Sequence, residues 1–132
     1  MSAPAKPLVL LADDDSQIRG ILALKIKAAG FQVAEAENGQ EAIDKCKQQK
    51  PDVIIMDVRM PIMSGTEAVT IIKNDPQLKD IKIIFFSNFG EDDELDAWLD
   101  QKYAKEMGAF DYVKKTDNLA KIVDKVKEVL AH

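Results

Sequence analysis

Two short apolar runs end in carboxylates. Leu8-Val9-Leu10-Leu11-Ala12 is followed by Asp13, Asp14 and Asp15, and Val53-Ile54-Ile55-Met56 is followed by Asp57. Two further stretches of strand length, Ile81 to Phe86 and Phe110 to Lys114, lead to a hydroxyl, Ser87, and to a long cation, Lys115. Carboxylates about 4 Å apart repel by roughly 1 kcal/mol per pair in water and by about 4 kcal/mol at the effective dielectric of a protein surface. Asp13, Asp14 and Asp57 in one crevice would therefore require a positive charge among them. A hard divalent cation that prefers oxygen ligands and keeps some of its waters fits, Mg2+ before Ca2+. With the Ser87 hydroxyl and the Lys115 ammonium added, the set matches a phosphoryl group. A plainer reading of Asp57, an aspartate that merely opens a turn, stands beside this one.

These residues meet only if the elements that carry them are neighbours. Continuous apolar runs of strand length, flanked by Pro51-Asp52 and by Pro61 in the case of Asp57, read as strands buried on both faces, as in a parallel sheet under helices. In such sheets ligands bind at the carboxyl edge, where the loops diverge and leave a crevice. Residues 1–7 read as a frayed lead-in and residues 8–132 as one domain. After the first strand, Ser16 is a candidate cap for a helix with Ile18, Ile21, Leu22, Ile26 and Ala29 on its apolar face, and Gly30 is placed as a left-handed terminator. Phe31 to Ala36 suits a second strand. Asn38 with Glu41 resembles a capping arrangement for a helix to about Gln49, facing Ala42, Ile43 and Cys46 inward. Beyond Asp57, Ser64-Gly65-Thr66-Glu67 is a capping box for a helix with Val69 and Ile72 inside, ended by Asp75-Pro76. Ile81 to Phe86 reads as the fourth strand. A helix follows to Met107, then a short strand from Phe110 to Lys114, and a strongly amphipathic last helix marked by Leu119, Ile122, Val123, Val126, Val129 and Leu130.

Five βα units make this an α/β protein, a (βα)5 three-layer sandwich with one parallel five-stranded sheet. The strand order 2-1-3-4-5 is taken over from flavodoxin-like folds. It makes strands one and three neighbours and so brings Asp13 and Asp14 beside Asp57.

Composition narrows the function. The 132 residues, 46% hydrophobic and 31% charged, are as expected of one packed globular domain. A net charge of −5 without a basic stripe argues against nucleic acid. No apolar stretch approaches the roughly 20 residues that span a bilayer, so the expectation is a cytoplasmic protein with no membrane contact. Cys46 is the single cysteine and His132 the single histidine, which excludes an internal disulfide, a cysteine-based zinc site and a histidine triad. The acids Glu91-Asp92-Asp93-Glu94 and Asp96 read as the favourable start of a helix dipole before a metal site.

The acidic pair Asp13-Asp14, the run Met56-Asp57-Val58-Arg59-Met60-Pro61, Ser87, Gly108-Ala109, Tyr112 and Lys115, in this order along the chain, resemble a two-component response regulator receiver domain of the CheY-like, stand-alone kind. The resemblance runs from Leu8 to the end. It implies that Asp57 is the nucleophile that takes a phosphoryl group from a histidine kinase or phosphotransfer protein. Asp13, Asp14, Asp57 and the Arg59 carbonyl would be the Mg2+ ligands, Lys115 a neutralising cation, and Ser87 and Tyr112 the switch pair that changes a partner-binding face. Phosphoryl transfer needs this kind of positioning and charge neutralisation. It implies further an unphosphorylated monomer whose only catalysis is its own phosphotransfer and dephosphorylation, acting on an unknown downstream protein.

The chain departs from the family at Thr116, where proline is usual, at Asn88, where a small residue is usual, and in a longer segment from Asn88 to Met107 with Trp98 and Tyr103 on its helix. Trp98 reads equally as core or as part of an altered partner surface. Arg59 and Phe89 flank the path of the attacking water in the family, so slow loss of the phosphoryl group is expected. Three other functions compete. A phosphatase of the haloacid dehalogenase type needs an acid where Arg59 stands. A flavin mononucleotide carrier would have its phosphate repelled by Asp13 to Asp15. A phosphorylation-independent receiver-like scaffold for protein binding is the remaining alternative.

Overall fold

The computed structural model describes residues 6–87, 111–114 and 119–131. Its elements in chain order are β1 (Leu8–Ala12), α1 (Ser16–Ala28), β2 (Gln32–Ala36), α2 (Gly39–Gln48), β3 (Val53–Met56), α3 (Gly65–Asn74), β4 (Lys82–Ser87), β5 (Asp111–Lys114) and α4 (Ala120–Leu130). The five strands form one parallel sheet in the order β2-β1-β3-β4-β5. This is the flavodoxin-like α/β arrangement expected from the sequence.

Alternate strand residues supply two cores, because successive side chains leave a strand on opposite faces. Val9, Leu11, Val53, Ile55, Ile84 and Phe86 pack with Leu22 and Ile26 of α1 and with Ile122, Val126 and Val129 of α4. Leu10, Ile54, Met56, Ile83 and Phe85 pack on the other side with Ile43 and Cys46 of α2 and Val69 and Ile72 of α3. Strands covered on both faces are continuous apolar runs for this reason, and β1 and β3 are buried at every position.

The helix signals act largely as the sequence predicts. Asn38 Oδ1 accepts the Glu41 N–H at 2.8 Å, Ser64 Oγ accepts the Glu67 N–H at 3.2 Å, and Gly30 closes α1 with φ 101°. Two details differ. Asp15, not Ser16, caps α1: its carboxylate accepts from the N–H groups of Gln17 and Ile18, at 3.0 and 3.2 Å. Either residue type can cap, and the longer acidic side chain one position earlier reaches two orphan donors. Ile21, expected inside, is 47% exposed. The buried stripe is Leu22, Ala23 and Ile26, with Ile18 half-buried beside it, and Ile21 lies about 100° from Leu22 on the side away from Ala23. Strand edges differ by one residue: β2 begins at Gln32 and β4 runs Lys82–Ser87. The expected helix to Met107, the acidic run, Phe89, Trp98, Tyr103, Gly108-Ala109, Phe110, Lys115, Thr116 and His132 lie outside the described residues.

Candidate functional site

The site grows from the carboxyl ends of β1 and β3. Ladder pairing continues one residue past each: Asp57 N–H donates to the Ala12 carbonyl at 2.8 Å, and Asp13 N–H to the Ala36 carbonyl at 3.0 Å. Asp13 and Asp57 thus leave the sheet side by side with fixed backbones. They are 3% and 4% exposed, while Asp14 is exposed. Asp13 Oδ1 accepts the Asp15 N–H at 2.9 Å, which orients its carboxylate. One carboxylate oxygen from each of Asp13, Asp14 and Asp57 lies within 4.8 Å of the other two. An all-oxygen donor set with two of its three members buried suits a hard divalent cation and gives a thiophilic metal nothing to hold.

The loop after Asp57 is pinned by two glycines. Gly65 N–H donates to the Val58 carbonyl at 2.9 Å, and a Cβ on Gly65 would overlap the Asp57 carbonyl oxygen. Gly39, at the start of α2, donates its N–H to the Met63 carbonyl at 2.9 Å, and a Cβ there would lie 2.6 Å from that oxygen. Between them Met63 N–H reaches back to the Pro61 carbonyl at 2.7 Å with Ile62 at φ 70°. That is a three-residue turn of the rarer, positive-φ kind. A β-branched side chain is strained in this region, and Ile62 is 84% exposed at its tip.

The other sequence-predicted residues fall as follows. Ser87 is the last residue of β4, opposite Lys114 of β5, and Tyr112 pairs with Phe85. Lys115 follows β5 directly in the chain. Arg59, with an exposed side chain, lies two residues beyond Asp57 in the same loop. Sequence reasoning missed Arg19. Its guanidinium is mostly buried on α1, and its Nη1 donates to the Asp13 carbonyl at 2.6 Å. Nothing in the spacing of Arg19 marks it, because its partners depend on the fold. Gly39 and Gly65 sit inside capping patterns that conceal their packing role.

A family model, the response regulator receiver domain, matches residues 9–127. The chain belongs to that family. It is 37% identical over 123 residues to the chemotaxis protein CheY of Thermotoga maritima, covering 92% of this chain and 95% of that one. It is 35% identical over 122 residues to the phosphate regulon transcriptional regulatory protein PhoB of Pseudomonas aeruginosa, with 92% of this chain and 51% of that protein covered. The chain thus spans about half the length of this second relative. The solved structure of chemotaxis protein CheY4 from Vibrio cholerae superposes with a TM-score of 0.81 at 30% identity, over 95% of this chain and 99% of that one. Receiver domains are signalling modules of two-component systems that interact with histidine kinases and downstream effectors. Among the described residues, no helix is long and apolar enough to cross a membrane.

Proposed function

We propose that this receiver is switched by Mg2+-dependent phosphorylation of Asp57 and that phosphorylation changes a face that binds a downstream protein. The observation that carries the reading is the convergence of Asp13, Asp14 and Asp57 at the sheet edge, two of them buried. Asp13, Asp14, Asp57 and the Arg59 carbonyl would hold Mg2+, whose divalent charge offsets the negative charge spread over a phosphoryl group in transfer. The chain's own part is nucleophilic. An Asp57 carboxylate oxygen attacks the phosphorus of a donor phosphohistidine, a P–O bond forms as the P–N bond breaks, and the bond's electron pair returns to the donor imidazole. The product is an acyl phosphate on Asp57.

Lys115 and Ser87 then contact the phosphoryl oxygens, and Tyr112 responds to the movement of Ser87. This is a shift between two pre-existing populations that the phosphoryl contacts bias. The receiver domain occupies residues 8–132, in a cytoplasmic chain that is monomeric until phosphorylated. Arg59 and Phe89 slow the loss of the phosphoryl group; replacing both by smaller polar residues accelerates dephosphorylation in Mg2+, and unchanged kinetics would remove this part of the reading.

Transfer from a phosphorylated histidine phosphotransfer protein tests the proposal, followed by borohydride reduction, which converts an aspartyl phosphate to homoserine. Homoserine at position 57, found only with Mg2+ present, is expected. Homoserine at another position would move the acceptor away from Asp57, and none at all would move the function to phosphorylation-independent binding.

A further inference from the structure

Arg19 is a cation at the margin of a cation site, and its contacts explain why that is no contradiction. The side chain is 11% exposed and bonds two different segments. Nε donates to Glu35 Oε1 of β2 at 3.0 Å, and Nη1 to the main-chain carbonyl of Asp13 at 2.6 Å. Nη2 lies 3.8 Å from Glu37 Oε1 just beyond β2. The two glutamates take up its charge. What remains for the acidic site is geometry.

The Asp13 carbonyl belongs to the peptide plane that joins Asp13 to Asp14, and that plane is rigid. On its other side Asp13 is already fixed, by its N–H to Ala36 and by its carboxylate to Asp15 N–H. The bond from Arg19 fixes the remaining plane, and with it the Cα atoms of two of the three acids that converge. Arg can do this and bind Glu35 at once because its donors form a planar fork; Lys offers a single point of charge.

We infer that Arg19 is a positioning residue for the divalent-cation site: it sets the Asp13–Asp14 peptide through the Asp13 carbonyl while Glu35 and Glu37 balance its charge. The inference rests on the proposed Mg2+ site at Asp13, Asp14 and Asp57. It contradicts the simplest electrostatic expectation, in which removal of a neighbouring cation tightens Mg2+ binding.

Calorimetric titration of the unphosphorylated full chain with MgCl2 decides the matter, well below the unfolding temperature and with folding of each variant checked by circular dichroism. Removal of residues that orient metal ligands commonly costs 10- to 100-fold in affinity. Arg19→Met is expected to weaken Mg2+ binding by about 10-fold or more. Arg19→Lys is expected to weaken binding as well, since a single ammonium nitrogen replaces the rigid fork that holds the Asp13 carbonyl and Glu35 from separate nitrogens. Glu35→Gln, which keeps the fork on the carbonyl, is expected to lose less than Arg19→Met. In the metal-free protein, amide hydrogen exchange at Asp14 and Asp15 should quicken in Arg19→Met, which a role confined to holding α1 against β2 would not require. Mg2+ affinity equal to or tighter than wild type in a folded Arg19→Met overturns the inference. Should that variant fail to fold, unchanged affinity in Arg19→Lys overturns it. Absence of Mg2+ binding by the wild-type chain instead overturns the underlying site, and the inference with it.

Discussion

Gly65 and Cys46 are the residues whose substitution reports most directly on the packing around the site. Any side chain at Gly65 would overlap the Asp57 carbonyl, a backbone atom that cannot swing aside, and would meet Met56 as well. Gly65→Ala is therefore expected to cost on the order of 3 kcal/mol, at the upper end for overpacking, measured by urea denaturation; a loss within the error of the wild type would contradict this geometry. Cys46 lies in the core between α2 and the sheet, and burial pushes its thiol from 9.0 up to about 12. Between those values the unfolded chain has lost the proton and the folded chain retains it. The contribution is intact below pH 9 and is lost as pH rises, by about 1.4 kcal/mol per pH unit. The denaturation midpoint should fall more steeply from pH 9 to 11 in wild type than in Cys46→Ala, and parallel slopes would contradict the assignment. The sequence reading of Cys46 as a small apolar core residue agrees with its burial. Ile62 could not be read in the same way, because its positive φ comes from the turn in the loop that follows Asp57 and runs against the preference of a β-branched residue.

At the scale of elements, patterns of local origin were legible and patterns set by tertiary contact were not. The apolar runs of β1 and β3, the Asn38 and Ser64 caps and the Gly30 terminator involve neighbours in sequence, and each appears at its expected place. The inward face of α1 depends on how that helix is rotated against β1 and α4, so Ile21 was assigned to the wrong side. The link between β4 and α4 was equally hidden. Lys82 Nζ crosses from the start of β4 to the Val129 carbonyl at 2.7 Å, in the last turn of α4, where helix carbonyls lack intrahelical partners. A charged donor there also suits the negative end of the helix dipole. Lys82→Met should lower stability by about 1 kcal/mol and increase amide exchange in the final turn of α4. Exchange unchanged in that turn would mean that the bond contributes nothing to holding the helix end.

For the molecule as a whole, the strand order creates the site. Asp13 and Asp57 are remote in sequence, and only the placement of β1 beside β3 makes their carboxylates neighbours. That placement was available from the fold resemblance, since strand order does not follow from apolar periodicity. The clamp of Arg19 on Asp13 and Glu35 required the actual rotation of α1 and was out of reach of any motif. The central claim is that these carboxylates make Asp57 a phosphoryl acceptor. Intact mass measured after incubation with a small acyl phosphate and Mg2+ tests it most directly. The account predicts a gain of one phosphoryl group in the wild-type chain, absent without Mg2+ and absent in Asp57→Asn. An unchanged mass, or the same gain in Asp57→Asn, would contradict it.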